Sequence, residues 1–149
     1  MSADPRLERW LPLIAVSVKE SPRRIRRTNM NLTQLKVLCA SHPGAAERLY
    51  KDPYNILVFH VGGRTFAYFK TSQPERWRFS VRVSPDRFLE LTDRPGMKPA
   101  RYRGRYHWVT IVNVRTVPDG YLGELVQWSY RKALGALSRK RQHEIEALS

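Results

Sequence analysis

The chain has 149 residues, which suits one compact domain in the usual range of about 100 to 200 residues and argues against a two-domain enzyme. Hydrophobic residues make up 42% and aromatics 11%, too much apolar material for a disordered chain. The 27 Lys+Arg against 13 Asp+Glu give a formal charge of +14, an excess that points to a polyanionic partner, nucleic acid ahead of an anionic membrane surface or plain solubility.

Residues 1–29 read as a basic N-terminal arm: Arg6, Arg9, Lys19, Arg23, Arg24, Arg26 and Arg27 outweigh Asp4, Glu8 and Glu20. The run Ser21-Pro22-Arg23-Arg24 has the chemistry of a tether, not of a core. Leu11 to Val18 is too short to span a bilayer, and Glu8 and Pro12 break the signal-peptide pattern. The domain proper is expected over residues 30–141, with 142–149 as a C-terminal tail. From Asn31, the spacing of Leu32, Leu35, Leu38 and Cys39 predicts a short amphipathic helix that ends at His42-Pro43-Gly44. Ala45 to Tyr50 is read as a further helical turn. Ile56 to Val61 and Thr65 to Lys70 form a hairpin of strands about Gly62-Gly63.

Arg76, Arg78, Ser80 and Arg82 alternate with Trp77, Phe79, Val81 and Val83, which predicts a third strand with one cationic and one apolar face. Ser84-Pro85-Asp86 opens a helix carrying Phe88, Leu89 and Leu91. Thr92 to Pro99 reads as an irregular loop, and Trp108 to Val114 as a fourth strand. Pro118-Asp119 starts the longest helical pattern, running to about Arg139, where Arg139-Lys140-Arg141 would sit favourably at the negative end of the helix dipole.

Signatures of enzyme chemistry are absent: no Gly-x-Ser-x-Gly elbow, no Walker loop and no His-Glu-x-x-His. Cys39-x-x-His42 is half a metal site with no second close pair, and a lone cysteine cannot form an internal disulfide, which fits a reducing cytoplasm. Asp86, Glu90 and Asp93 are explained by helix capping and a solvated face. The basic residues are better organised. Arg78 and Arg82 on one strand face suit phosphate oxygens, and Arg101-Tyr102-Arg103-Gly104-Arg105-Tyr106 interleaves cations with rings.

A set of marks recurs in order: Pro43-Gly44-Ala45 with Glu47, Val61-Gly62-Gly63 before Phe66-Ala67, and Arg78 to Val83. His107-Trp108 with Thr110, Pro118-Asp119 and Ser129-Tyr130 follow. Through them the segment from Met30 to Arg141 resembles the bacterial MmcQ/YjbR family. Val109 departs from the asparagine that the family often places after His-Trp. The resemblance implies a DNA-binding protein of CyaY-like, α+β fold: an antiparallel sheet covered by helices on one face, similar to the double-wing domain of the phage transcription factor MotA.

Together these features predict a non-enzymatic, cytoplasmic protein without metal or cofactor. It would contact the backbone of double-stranded DNA, with weak sequence preference, through Arg76, Arg78, Arg82, Arg101, Tyr102, Arg103 and Arg105. The same charges would serve an acidic protein partner, and exposed rings would suit RNA or a single strand.

Overall fold

The computed structural model describes residues 29–101 and 103–148, so nearly all of the basic arm, and Tyr102, lie outside the described residues. Helix α1 (Leu32–Ala40) starts where the sequence predicts. Asn31 Oδ1 accepts from the Gln34 N–H at 2.8 Å while Gln34 Oε1 accepts from the Asn31 N–H at 2.9 Å, a reciprocal capping box. Six strands follow: β1 (Ala45–Tyr50), β2 (Ile56–Val61), β3 (Arg64–Lys70), β4 (Phe79–Arg82), β5 (Met97–Pro99) and β6 (Trp108–Ile111). They form one antiparallel sheet in the order β1-β2-β3-β4-β6-β5. Helix α2 (Pro85–Leu91) joins β4 to β5, and α3 (Asp119–Gly135) and α4 (Arg139–Glu146) complete the chain.

Period-two alternation decides which sheet face is covered. Phe59, Phe69, Phe79, Val81, Val109 and Ile111 share one core with Leu35 of α1, Leu91 of α2 and Tyr121, Leu122, Leu125 and Val126 of α3. Helix α3 lies across β2, β3 and β4. The architecture is therefore α+β, with the helices' buried residues gathered on one sheet face.

Near the hairpin end, β3 and β4 part. Their pairing stops at Ala67 opposite Val81. Beyond it the Ser129 hydroxyl of α3 fills the gap, donating to the Phe66 carbonyl at 2.6 Å and accepting from the Arg82 N–H at 3.2 Å. A register shift at Phe59/His60 places an extra residue, Phe66, in β3, and its ring packs edge-on against Tyr130.

Several sequence expectations are corrected. Ala45 to Tyr50 is edge strand β1, not a helical turn: six residues pair with β2, and that ladder overrides the helix propensity of Ala, Glu, Arg and Leu. The third strand covers Phe79–Arg82 and not Arg76 onward, because Glu75 (φ 56°) and Trp77 (φ 72°) are left-handed and break the pleat. The loop from Thr92 ends in β5, and the strand from Trp108 stops at Ile111.

The long helix ends at Gly135, and Ser138 caps a new helix by accepting from the Arg141 N–H at 3.2 Å. Arg139, Lys140 and Arg141 thus occupy the positive end of the α4 dipole, the reverse of the expected arrangement. Residues 142–146, expected as tail, belong to α4, whose buried Ile145 packs over Gly44.

The β2–β3 turn has both glycines at positive φ, Gly62 at 56° and Gly63 at 83°, as a two-residue hairpin demands. A Cβ on Gly62 would stand 2.5 Å from Leu137 Cδ1, whereas one on Gly63 meets nothing within 4 Å. Gly62→Ala is expected to cost about 0.5–1.5 kcal/mol beyond the backbone strain common to both positions, the cost of turning the Leu137 methyl aside, and so to exceed Gly63→Ala, as read by urea unfolding. Equal costs would contradict the close packing of Leu137 on the turn.

Candidate functional site

The sheet face away from the core can be read from the register. One row crosses all six strands: Arg48, Val58, Tyr68, Ser80, Thr110 and Lys98. On one side Lys70 lies beside Arg78, whose carbonyl accepts from the Lys70 N–H at 3.0 Å. On the other Arg82 pairs with Trp108. Cations therefore recur on four of the six strands or their ends, on the face that the helices leave.

The middle of this face is closed. Ser80, expected at the surface, is buried and hydrogen-bonds Thr110 across the strands at 2.8 Å. Trp108 is also buried, with Tyr68 tilted against it at 5.6 Å between centroids. Arg103 lies over both rings, 5.5 Å from Tyr68 and 5.3 Å from Trp108, so the β5–β6 connection folds back onto the sheet.

Glu75 is a carboxylate paired within this cationic field. It takes Arg78 Nη1 at 2.9 Å and Lys98 Nζ at 2.9 Å, and these bonds, Lys98 first, hold its carboxyl below the usual value. Lys70 Nζ donates to the Pro74 carbonyl at 2.7 Å. Loss of hydration, then the nearby Arg78, pulls the Lys70 ammonium below its ordinary value, with Lys98 and Arg101 adding to the effect and Glu75 opposing it. Two cations on one carboxylate leave local positive charge, and Lys70 adds to it.

The residues expected to bind are not brought together as one stripe. Arg78 sits on Glu75, and Arg82 and Arg103 meet at the parted end of β3 and β4. Arg76 is exposed outside the strand, 5.4 Å from the Trp77 ring, and Arg101 is exposed. Arg105 lies 4.9 Å from the exposed ring of Tyr106. Sequence reasoning missed Arg48, Lys70, Lys98, Arg64 and Lys132. Lys70 was within reach, since it continues the alternation of Tyr68 along β3; Arg48 and Lys98 were hidden by misread strands.

Elsewhere the chemistry is structural. Burial pushes the Cys39 thiol up to about 12, so at neutral pH it is neither a thiolate nucleophile nor a ready metal ligand. Among the described residues no group of three or more His, Cys, Asp or Glu is placed to hold a metal ion. No helix among them is long and apolar enough to cross a membrane.

His42 stacks on Tyr130 at 4.6 Å, and its buried Nε2 has no hydrogen-bond partner. Burial, then Arg131, lowers its pKa from 6.5. The folded state thus binds fewer protons here than the unfolded chain, and this contribution to stability is expected to fall as pH drops below 6.5 toward the depressed value. Urea midpoints across that window should show a loss that His42→Gln reduces; an identical profile in the variant would contradict the assignment.

A family model described as YjbR matches residues 40–132. The YjbR proteins of two Escherichia coli strains are each 26% identical over 115 residues, covering 76% of this chain and 95% of the relative. A crystal structure of a Deinococcus radiodurans protein with a DUF419 domain superposes with TM-score 0.68 at 28% identity, covering 78% of this chain and 88% of that one. A Pseudomonas syringae protein shares the fold at TM-score 0.57 and 16% identity, over 70% of this chain and 99% of that one. The matched span runs from the end of α1 through most of α3 and so includes all six strands, and on that match the chain belongs to the YjbR family.

Proposed function

We propose that this protein binds double-stranded DNA through its phosphate backbone, by charge neutralisation and without catalysis, using the sheet face opposite the helices together with the 101–105 connection. The observation that carries the reading is the distribution of charge. Arg48, Lys70, Arg78, Arg82, Lys98 and Arg103 lie on or over that face, and among the described residues the carboxylate pairs of these six are made by Glu75 alone. Guanidinium groups suit the task because they stay charged and fork onto phosphate oxygens. Arg78, just before β4, and Arg82, at its end, are four residues apart, about 13 Å along extended chain, a spacing that reaches phosphates two apart on one strand rather than neighbours.

Base readout is not part of the proposal, since phosphate contacts fix position without reading sequence. A single-strand or RNA mode draws support from Tyr106, half-exposed beside Arg105, but buried Trp108 offers no stacking surface. Parallel titrations with duplex, single strand and RNA of equal length test the choice: tightest binding to duplex, independent of sequence, is expected. Preference for single strands would overturn it. Binding of an acidic protein that survives nuclease treatment, with no affinity for duplex, would replace it.

A further inference from the structure

Four cations converge on a cavity where β3 and β4 part. Arg64 comes from the hairpin, Arg82 from β4, Arg103 from the β5–β6 connection and Lys132 from α3, around a space of about 240 Å³. No carboxylate lines it, and among the described residues none forms an ion pair with any of the four. Thr65 also lines this space, while Ser129 closes one side with its proton committed to the Phe66 carbonyl.

A bland account covers only part of this. Lys132 stands in the last turn of α3, where its charge stabilises the helix end by about 0.3–1 kcal/mol without any ligand. Arg64, Arg82 and Arg103 have no such role. Like charges around one concavity repel each other, and an entering anion relieves that repulsion. Arg103 is held in place by the rings of Tyr68 and Trp108, so its guanidinium is already oriented.

We infer that this cavity binds the dianionic phosphate of a monoester. Four cations match two negative charges better than the single charge of a backbone diester. The volume is below the roughly 300–1,000 Å³ of sites that enclose drug-sized ligands, so the phosphate enters and the organic remainder stays outside. The phosphate can belong to a small free monoester or to the 5′ end of a nucleic-acid strand. The cavity shares Arg82 and Arg103 with the proposed duplex-binding face but does not rest on that proposal, because Arg64 and Lys132 take no part in it and Lys70, Arg78, Lys98 and Arg105 do not line the cavity.

Calorimetric titration of the full chain with inorganic phosphate, adenosine monophosphate and dimethyl phosphate tests it, alongside short oligonucleotides with a 5′-phosphate or a 5′-hydroxyl. Saturable binding of the monoester is expected, with dimethyl phosphate weaker by about tenfold or more. The exposed pair Arg64→Ala with Lys132→Ala should weaken monoester binding by about tenfold, whereas Lys51→Ala with Arg115→Ala, which removes equal charge elsewhere, should leave it unchanged.

Tighter binding of the 5′-phosphorylated oligonucleotide than of adenosine monophosphate identifies a strand end as the source; equal binding identifies a small monoester. Absence of saturable monoester binding, equal affinity for dimethyl phosphate, or equal losses in the two double variants would each overturn the inference. Intact monoester binding in a protein that ignores duplex DNA would sink the duplex proposal alone.

Discussion

Phe69→Ala is expected to cost about 3–5 kcal/mol of unfolding free energy, the range for a fully buried phenylalanine whose cavity cannot collapse. Phe69 has no exposed surface and sits among rings, 4.9 Å from Phe79, 6.2 Å from Phe59 and 6.3 Å from Trp77. Against a typical total of about 5–15 kcal/mol, that loss leaves a marginal fold. The effect reaches the candidate interface as well. Trp77 is held at positive φ between Phe69 and Lys36, whose Nζ lies 4.2 Å from the indole, and the same bend aims Arg78 at Glu75. Urea unfolding should show a large fall in midpoint with the slope retained. A cost below about 1 kcal/mol would mean that the core around Phe69 is looser than the packed rings imply.

The second large effect concerns binding. Replacing Arg101, Arg103 and Arg105 together by alanine should weaken duplex affinity by about 10- to 100-fold, from roughly 0.5–1 kcal/mol for each exposed charge contact. The loss should be the same for unrelated sequences, and the slope of log K against log salt should flatten by about three units, one per phosphate contact. Arg78→Ala with Arg82→Ala should act in the same direction but less cleanly, because removing Arg78 leaves Glu75 neutralised by Lys98 alone and less positive charge around it. A triple variant that discriminates between sequences where the parent does not would point to base contacts instead.

How far the sequence revealed this molecule depends on the signal each element used. Where a local rule suffices, it worked: the helix start at Asn31, the Gly62-Gly63 turn and the Ser84-Pro85-Asp86 helix opening all stand where their residues put them. Tertiary pairing defeated it elsewhere. Ala45 to Tyr50 is an edge strand because β2 offers a ladder, a partner that no local pattern in those residues encodes. The alternation from Arg76 to Val83 is unbroken in sequence yet broken in space, since nothing in Glu75 or Trp77 announces a left-handed backbone. The break between α3 and α4 rests on the cap at Ser138, in a stretch whose apolar spacing runs on through Leu137.

The site followed the same division. Arginine alternation placed Arg78 and Arg82 on the face that the helices leave, but not the cations that stand around them. Lys98 joins that face only because β5 pairs with β6, and Lys132 meets Arg64, Arg82 and Arg103 only because α3 crosses the parted strands. Buried Ser80 shows that a polar residue in a cationic alternation can serve the sheet itself, here through Thr110.

Duplex affinity measured between 50 and 200 mM salt puts the strongest demand on the proposal that this sheet face neutralises DNA phosphates. With about five phosphates engaged, log K should fall against log salt with a slope near −4.5, a loss of roughly 10² to 10³ in affinity across that range. A slope shallower than about −1, or no duplex binding at the lower salt, would contradict it.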